Sequence, residues 1–428
     1  MSNVQAWVIS VDMGYGHQRA AYPLKDIAYE RIITANSDKI ISEKEKGLWQ
    51  RTKGFYESIS RLKTIPVIGA SLHKIFDTVS LSISPFFPFR DLSKPVMGVF
   101  FLKNAIKQGL SKSLIDYVKK KDIPFIATHP VPAIAAHYHG LKKIYCVVTD
   151  TDLHRAWVID KPEKNTITYF SPTVHASVRL REYGVQEDKI IFTGFPLPKE
   201  NIGGKNYSIL KKDICERIVN LDPNKVFIKS HKDILQKKLG RPLKSSRPLT
   251  IAFMVGGAGA QAEIGIKIVK SLKDKIINKQ VRINLVAGIR LDVISYFKKE
   301  IEDLNLKTQL GKGINIVFAL SKKGYFEKFN KTLRATDIIW TKPSEMSFYT
   351  ALGFPVIIAP PIGSHENFNR EWLQHIGSGF VQEDPDFAND WLFYWLENGR
   401  LAEAAFEGWI KAPTLGTYKI EEYLKKHI

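Results

Sequence analysis

The sequence predicts an α/β fold built from two Rossmann-like domains, and three observations predict it. Residues 4–12 form an apolar run rich in Val and Ile that ends in Gly14-Tyr15-Gly16-His17 and leads into a helical pattern. Leu249 to Met254 repeats the arrangement, running into Gly256-Gly257-Ala258-Gly259-Ala260 and a second helical pattern. At 428 residues with 44% hydrophobic content, the chain has the length and apolar mass for two full cores. A strand that turns through glycines into a helix is the opening unit of a doubly wound parallel domain.

The remaining elements follow in order. In the first domain, residues 1–199, the opening helix is expected from Arg19 to about Ile33, and residues 45–77 and 103–120 read as amphipathic helices with basic faces. Short buried strands are expected at Pro124 to Thr128, Ile144 to Thr149, Thr166 to Phe170 and Lys189 to Thr193. Residues 200–248 turn Lys-rich and polar, with a helical piece around Leu210 to Leu221, and read as a linker with an insertion. The second domain, 249–385, continues with strands Arg282 to Ala287, Ile314 to Ala319, Asp337 to Thr341 and Pro355 to Ala359. Residues 386–428 are helical and are placed to cross back toward the first domain.

The formal net charge of +20 attracts nucleic acid, an anionic membrane surface or phosphorylated substrates. No nucleic-acid recognition motif is visible, so no nucleic-acid partner is expected. The two cysteines, Cys146 and Cys215, fall in a strand and a helix, which argues against a disulfide framework and for a reducing compartment. No Cys/His spacing suggests a zinc site, and neither a metal nor a cofactor is expected. The first residues enter a strand directly, without a signal peptide's basic and apolar segments. No apolar run reaches the roughly 18 residues of a spanning helix. The expected location is cytoplasmic and peripheral to the membrane. Between the two basic helices lie Phe86, Phe87 and Phe89 among prolines. They suit either a loop that dips into a bilayer interface or a buried aromatic cluster.

Several polar loops follow strands, at the edge where open α/β sheets bind ligands. Gly14 and Gly16 permit close approach to the backbone, and the His17 imidazole can accept a proton from a hydroxyl near neutral pH. His129-Pro130 and Thr149-Asp150, with His154 and Trp157, fall on the same edge. The second glycine loop lacks both the dinucleotide fingerprint spacing and the lysine of a P-loop, which disfavours NAD or ATPase chemistry. Near the end, Thr341-Lys342-Pro343-Ser344-Glu345-Met346 reads as a strand, a tight loop and a helix start. Ser364-His365-Glu366-Asn367-Phe368-Asn369 opens another helix. Helix-start amides suit a phosphate, and the polar side chains one strand later suit sugar hydroxyls. Each of these loops also has a purely structural reading as a turn or a cap.

Taken together these motifs resemble the monogalactosyldiacylglycerol synthases and processive diacylglycerol glucosyltransferases. Gly14-Tyr15-Gly16-His17-Gln18-Arg19-Ala20-Ala21 is similar to their glycine loop, and His129-Pro130 to their His-Pro. Thr149-Asp150, His154 and Trp157, then Gly194-Phe195-Pro196, Gly256-Gly257, Thr341-Lys342-Pro343 and His365-Glu366 with Asn369, follow in the same order. The resemblance implies a GT-B fold, two Rossmann-like domains facing a cleft. It implies a metal-independent, inverting transfer of a hexose from a nucleotide sugar, UDP-linked in most of the family, to a lipid acceptor at an anionic membrane surface. By position it implies His17 as general base, with Asp150 as the second catalytic candidate. Gly14, Gly16, His129, His154 and Trp157 would fall on the acceptor side. Gly256, Gly257 and Ala258 would approach the diphosphate, and backbone near Phe318 would meet the base. Ser344, Glu345 and Met346 would present helix-start amides, and His365, Glu366 and Asn369 would read the sugar.

The chain departs from the family at Ser344-Glu345-Met346, where glycines are usual, and at His365, where glutamine is usual. Thr350 stands near the place of an acidic residue that would bind ribose. A nucleotide-sugar epimerase on the same fold, and a non-catalytic relative that binds a nucleotide or lipid, are the alternatives.

Overall fold

The computed structural model describes residues 4–62, 91–256 and 259–427. It contains two six-stranded sheets, and all strand pairs in both are parallel. These are two Rossmann-like domains.

The first sheet contains β1 (Ala6–Ser10), β2 (Ala28–Thr34), β3 (Phe125–Ala127), β4 (Ile144–Val147), β5 (Ile167–Ser171) and β6 (Ile190–Phe192), in the order β2-β1-β3-β4-β5-β6. Strands β1, β3, β4 and β5 are buried along their length, as a sheet covered on both faces requires. Their side chains join the flanking helices in one core around Trp7, Phe125, Ile144 and Tyr169. The chain leaves β1 toward β2 and returns to place β3 on the other side of β1. Strand order therefore reverses between β1 and β3, where such sheets open a ligand crevice.

The second sheet contains β7 (Leu249–Met254), β8 (Val281–Gly288), β9 (Ile314–Phe318), β10 (Ile338–Thr341), β11 (Val356–Ile358) and β12 (Gly379–Val381), in the order β12-β11-β10-β7-β8-β9. Here the reversal lies between β7 and β10. The helix Ala262–Ser271 packs close on β7 because Gly265 has no side chain. A methyl group there would sit 2.7 Å from Phe253 Cδ1.

Two helix expectations are corrected, and one strand is added. The opening helix stops far short of Ile33: Gly16–Ala21 is α-helical, Tyr22–Ile27 is a 3₁₀ turn, and β2 follows. Pro23 sits at the start of the 3₁₀ turn and lacks the N–H that a continuing α-helix would use. Residues 103–120 are two helices, Met97–Lys107 and Lys112–Val118, separated by left-handed backbone at Gly109 and Ser111. The three-residue strand β12 carries too little pattern to stand out in the sequence.

Residues 200–248, expected as a linker with an insertion and a helical piece around Leu210 to Leu221, include the helices Ser208–Leu221, Val226–Ser230 and Lys232–Leu239. The chain divides into one unit of residues 1–196, 363–368 and 415–428, and another of 197–362 and 369–414. Arg217 shows why the segment belongs to the second unit. It is 1% exposed, donates to the carbonyls of Thr336 (3.0 Å), Leu352 (2.7 Å) and Gly353 (3.3 Å), and lies 3.8 Å over the Phe354 ring. Burial lowers its pKa to about 10. The expected basic helix 45–77 is described over Glu43–Leu62, and residues 63–77, like Phe86, Phe87 and Phe89, lie outside the described residues.

Candidate functional site

In the first unit the sheet reversal brings the ends of β1, β3 and β4 together. Gly14 takes φ +92°, a left-handed backbone that only glycine adopts readily, and turns the chain off β1 into the helix beginning at Gly16. That places His17 beside β3. Its Nδ1 lies 2.6 Å from the Thr128 carbonyl and 3.2 Å from Thr149 Oγ1. A carbonyl only accepts, so Nδ1 carries the proton and Nε2 holds the lone pair. Thr128 Oγ1 in turn donates to the His17 carbonyl at 2.7 Å, which locks the loop from the other side. Such a ring, held in one tautomer by a group behind it, has the arrangement of a general base.

His129 stands 4.5 Å from His17, ring edge to face. Its Nδ1 accepts from the Val131 amide at 3.2 Å, capping the helix Pro130–Tyr138. Burial, then the charges of His17 and His154, push its pKa well below the usual histidine value. The expected acceptor residue is therefore a neutral helix cap that walls the His17 site. This has a pH consequence. Below about pH 6.5 the unfolded chain takes a proton that folded His129 refuses, so stability falls as pH drops, by up to about 1.4 kcal/mol per unit. His129→Asn keeps a capping side chain and should flatten that slope between urea unfolding at pH 7 and at pH 5.5.

Asp150, one residue beyond Thr149, is half-buried, and His154 precedes the short turn Arg155–Trp157. Trp157 is 2% exposed within the core, and its carbonyl accepts from Tyr169 Oη at 2.9 Å. Trp49, in the same core, sets its ring 6.3 Å from that of His129. It also lines a cavity of about 340 Å³ with Asp12, Asn36, Ser37, Lys46 and Gln50. The sequence carried no signal for Trp49 or Thr128, because their roles depend on which helix and strand become neighbours.

In the second unit the ends of β7, β8 and β10 meet. Gly256 and Gly259 close one turn through a 2.8 Å bond from the Gly259 amide to the Gly256 carbonyl, and Gly257 and Ala258 lie outside the described residues. Phe318 ends β9, with Lys328 Nζ 5.1 Å over its ring. Beyond β10 the Ser344 amide turns back to the Lys342 carbonyl at 2.9 Å. It therefore presents nothing outward, and the helix Glu345–Leu352 starts with the amides of Glu345 and Met346. That helix is 3₁₀, consistent with its short interval before Gly353.

Glu366 and Asn369 are buried. Glu366 is 1% exposed and accepts from the Gly363 amide at 3.3 Å, while its own amide donates to the Gly363 carbonyl. The Glu366 carboxylate thus reaches back to the start of its helix, as the glutamate of a capping box does. Asn369 is 0% exposed and donates to the Pro343 carbonyl at 3.1 Å, holding the loop after β10. The His365 side chain lies outside the described residues. Asn369→Ala should lower stability by about 1–2 kcal/mol. It should weaken nucleotide and nucleotide-sugar binding by the same factor in calorimetry. Loss confined to the nucleotide sugar would return Asn369 to the sugar-reading role.

Among the described residues, no cluster of His, Cys, Asp or Glu is gathered to hold a metal ion, and no helix is long and apolar enough to cross a membrane.

A domain of unknown function (DUF6938) matches residues 228–419. The processive diacylglycerol beta-glucosyltransferase of Bacillus pumilus (strain SAFR-032) is 23% identical over 396 residues, covering 89% of this chain and 83% of the relative. The enzyme of the same name from Bacillus subtilis (strain 168) is 25% identical over 395 residues, covering 89% and 84%. Among solved structures, Acinetobacter baumannii MurG covers 99% of both chains at 12% identity, with a TM-score of 0.47.

Proposed function

We propose that the protein is a glycosyltransferase that moves a hexose from a nucleotide sugar to a lipid acceptor at a membrane surface, with inversion and without a metal. The observation that carries this reading is His17. The imidazole sits at the sheet reversal, with Nδ1 fixed by the Thr128 carbonyl and Thr149. Its Nε2 takes the proton of an acceptor hydroxyl as that oxygen bonds to the anomeric carbon. The bond from that carbon to the diphosphate breaks, and the diphosphate leaves with the electron pair. Attack opposite to the leaving group inverts the centre. The relatives support the lipid acceptor, because both are named as diacylglycerol glucosyltransferases. The net charge of +20 supports an anionic surface.

The direct test incubates the protein with UDP-glucose, UDP-galactose or GDP-mannose and vesicles containing diacylglycerol, and follows glycolipid by mass spectrometry. Glycolipid from one of these donors is expected. Epimerised sugar nucleotide without glycolipid would overturn the reading. Co-sedimentation with anionic vesicles at low salt, weakening as salt screens the charge, is expected as well. Equal binding to neutral vesicles would count against the membrane part.

A further inference from the structure

We propose that the cavity beside Trp49 binds a neutral sugar ring of hexose size. The site lies wholly within the first unit and stands apart from the nucleotide-sugar reading above. Three segments meet there. The loop after β1 supplies Asp12, the loop after β2 supplies Asn36 and Ser37, and the helix Glu43–Leu62 supplies Lys46, Trp49 and Gln50. At about 340 Å³ the space lies at the lower end of the range for small-molecule sites, roughly 300–1,000 Å³.

The walls are fixed by hydrogen bonds between segments far apart in the chain. The Asp12 amide donates to Asn36 Oδ1 at 2.8 Å, and Asn36 Nδ2 donates back to the Asp12 carbonyl at 3.1 Å. This pair ties the two strand-end loops together. The buried Gln18 donates from Nε2 to Asp12 Oδ1 at 2.9 Å and orients the carboxylate. On the helix side, the buried Glu45 accepts from the Ser113 amide at 2.8 Å, which anchors the turn that carries Lys46 and Trp49. The cavity is therefore preformed, as small-molecule sites usually are.

Its lining disfavours two ligand classes. A phosphate needs a surplus of cations, whereas Lys46 is the one cation among the six lining residues. Glu43, 2.6 Å from its Nζ, and Asp12 offset its charge. An apolar tail would strip water from Asn36, Ser37 and Gln50 and give their polar atoms nothing in return. A sugar ring has a face of C–H groups and a rim of hydroxyls. The indole of Trp49 suits the face. The Ser37 hydroxyl and the Gln50 amide, on exposed residues, can both donate and accept, which suits the rim. Such a ring arrives as the head group of a glycolipid or as a free sugar, and the chemistry of the cavity is the same for both.

The test is titration calorimetry of the full chain with methyl β-glucoside, methyl β-galactoside, glycerol and glycerol 3-phosphate. Thermal unfolding confirms that each variant is folded. One of the hexosides is expected to bind more tightly than either glycerol compound. Ser37→Ala and Gln50→Ala should each weaken it by about three- to tenfold, the cost of one hydrogen bond. Ser37→Trp, which places bulk at an exposed position of the rim, should abolish it. Co-sedimentation with phosphatidylglycerol vesicles containing either diacylglycerol or hexosyl diacylglycerol separates the two sources. A preference for the hexosyl vesicles that Ser37→Trp loses assigns the ring to a lipid head group, and hexoside binding without that preference assigns a free sugar. Glycerol 3-phosphate bound more tightly than both hexosides would overturn the neutral ring. Binding of neither the hexosides nor the hexosyl vesicles, or undiminished binding in folded Ser37→Trp, would overturn the site. Glycolipid formation alongside either result would leave the proposed function standing.

Discussion

His17→Ala is expected to cut glycolipid turnover by about 10²–10⁴-fold, the usual cost of losing a general base. Donor affinity should stay nearly unchanged, because the donor-side elements of β7, β8 and β10 do not include this residue. The substitution removes a ring held by the Thr128 carbonyl and Thr149, so a partial loss of stability is also expected. His17→Gln separates the two effects. Glutamine can keep a polar contact to the Thr128 carbonyl, yet it cannot take a proton at neutral pH. Recovery of stability without turnover would assign the loss to chemistry. Near-wild-type turnover in folded His17→Ala would remove His17 from the mechanism and pass the role of base to Asp150.

Arg217→Met should produce the largest loss of stability. Its guanidinium serves three carbonyls, Thr336, Leu352 and Gly353, from a site that water does not reach. Each buried acceptor left without a donor costs about 1–3 kcal/mol, so the total should be roughly 3–9 kcal/mol. The nearby acids Asp337 and Asp213 would also lose a neighbouring positive charge. Urea unfolding measures the effect. A loss under about 1 kcal/mol, as for an exposed arginine, would show that residues 200–248 do not brace the second unit.

Much of the fold was legible because its signals are local. Strand β7 matches its expected bounds, and β1, β3 to β6 and β8 to β11 fall within two or three residues of theirs. Their continuous apolar runs mark strands buried on both faces. Strand β2 was hidden because Tyr29, Glu30 and Arg31 read equally well as a helix end. Residues 200–248 read as a linker because the feature that anchors them, a buried arginine, has the composition of a surface. In the candidate sites, His17 was visible from its glycine loop alone. Asn369 and Glu366 were recognisable as polar residues opening a helix, but their inward direction was not. Trp157 and Trp49 both lie in the core, and only packing brings the Trp49 ring near His129.

The helix Arg400–Lys411 presses Gly408 directly against Thr350 and Ser378, and the Thr350 hydroxyl is engaged by Ser378 and the Phe354 carbonyl. Position 350 is thus closed from three directions, and a carboxylate placed there would be an uncompensated interior charge rather than a ligand group. In the proposed reading, any contact to a nucleotide's ribose falls on groups other than residue 350. Thr350→Glu would therefore trade folding for nothing, and a search for variants with a changed nucleotide preference belongs on the loops that end β7, β8 and β10.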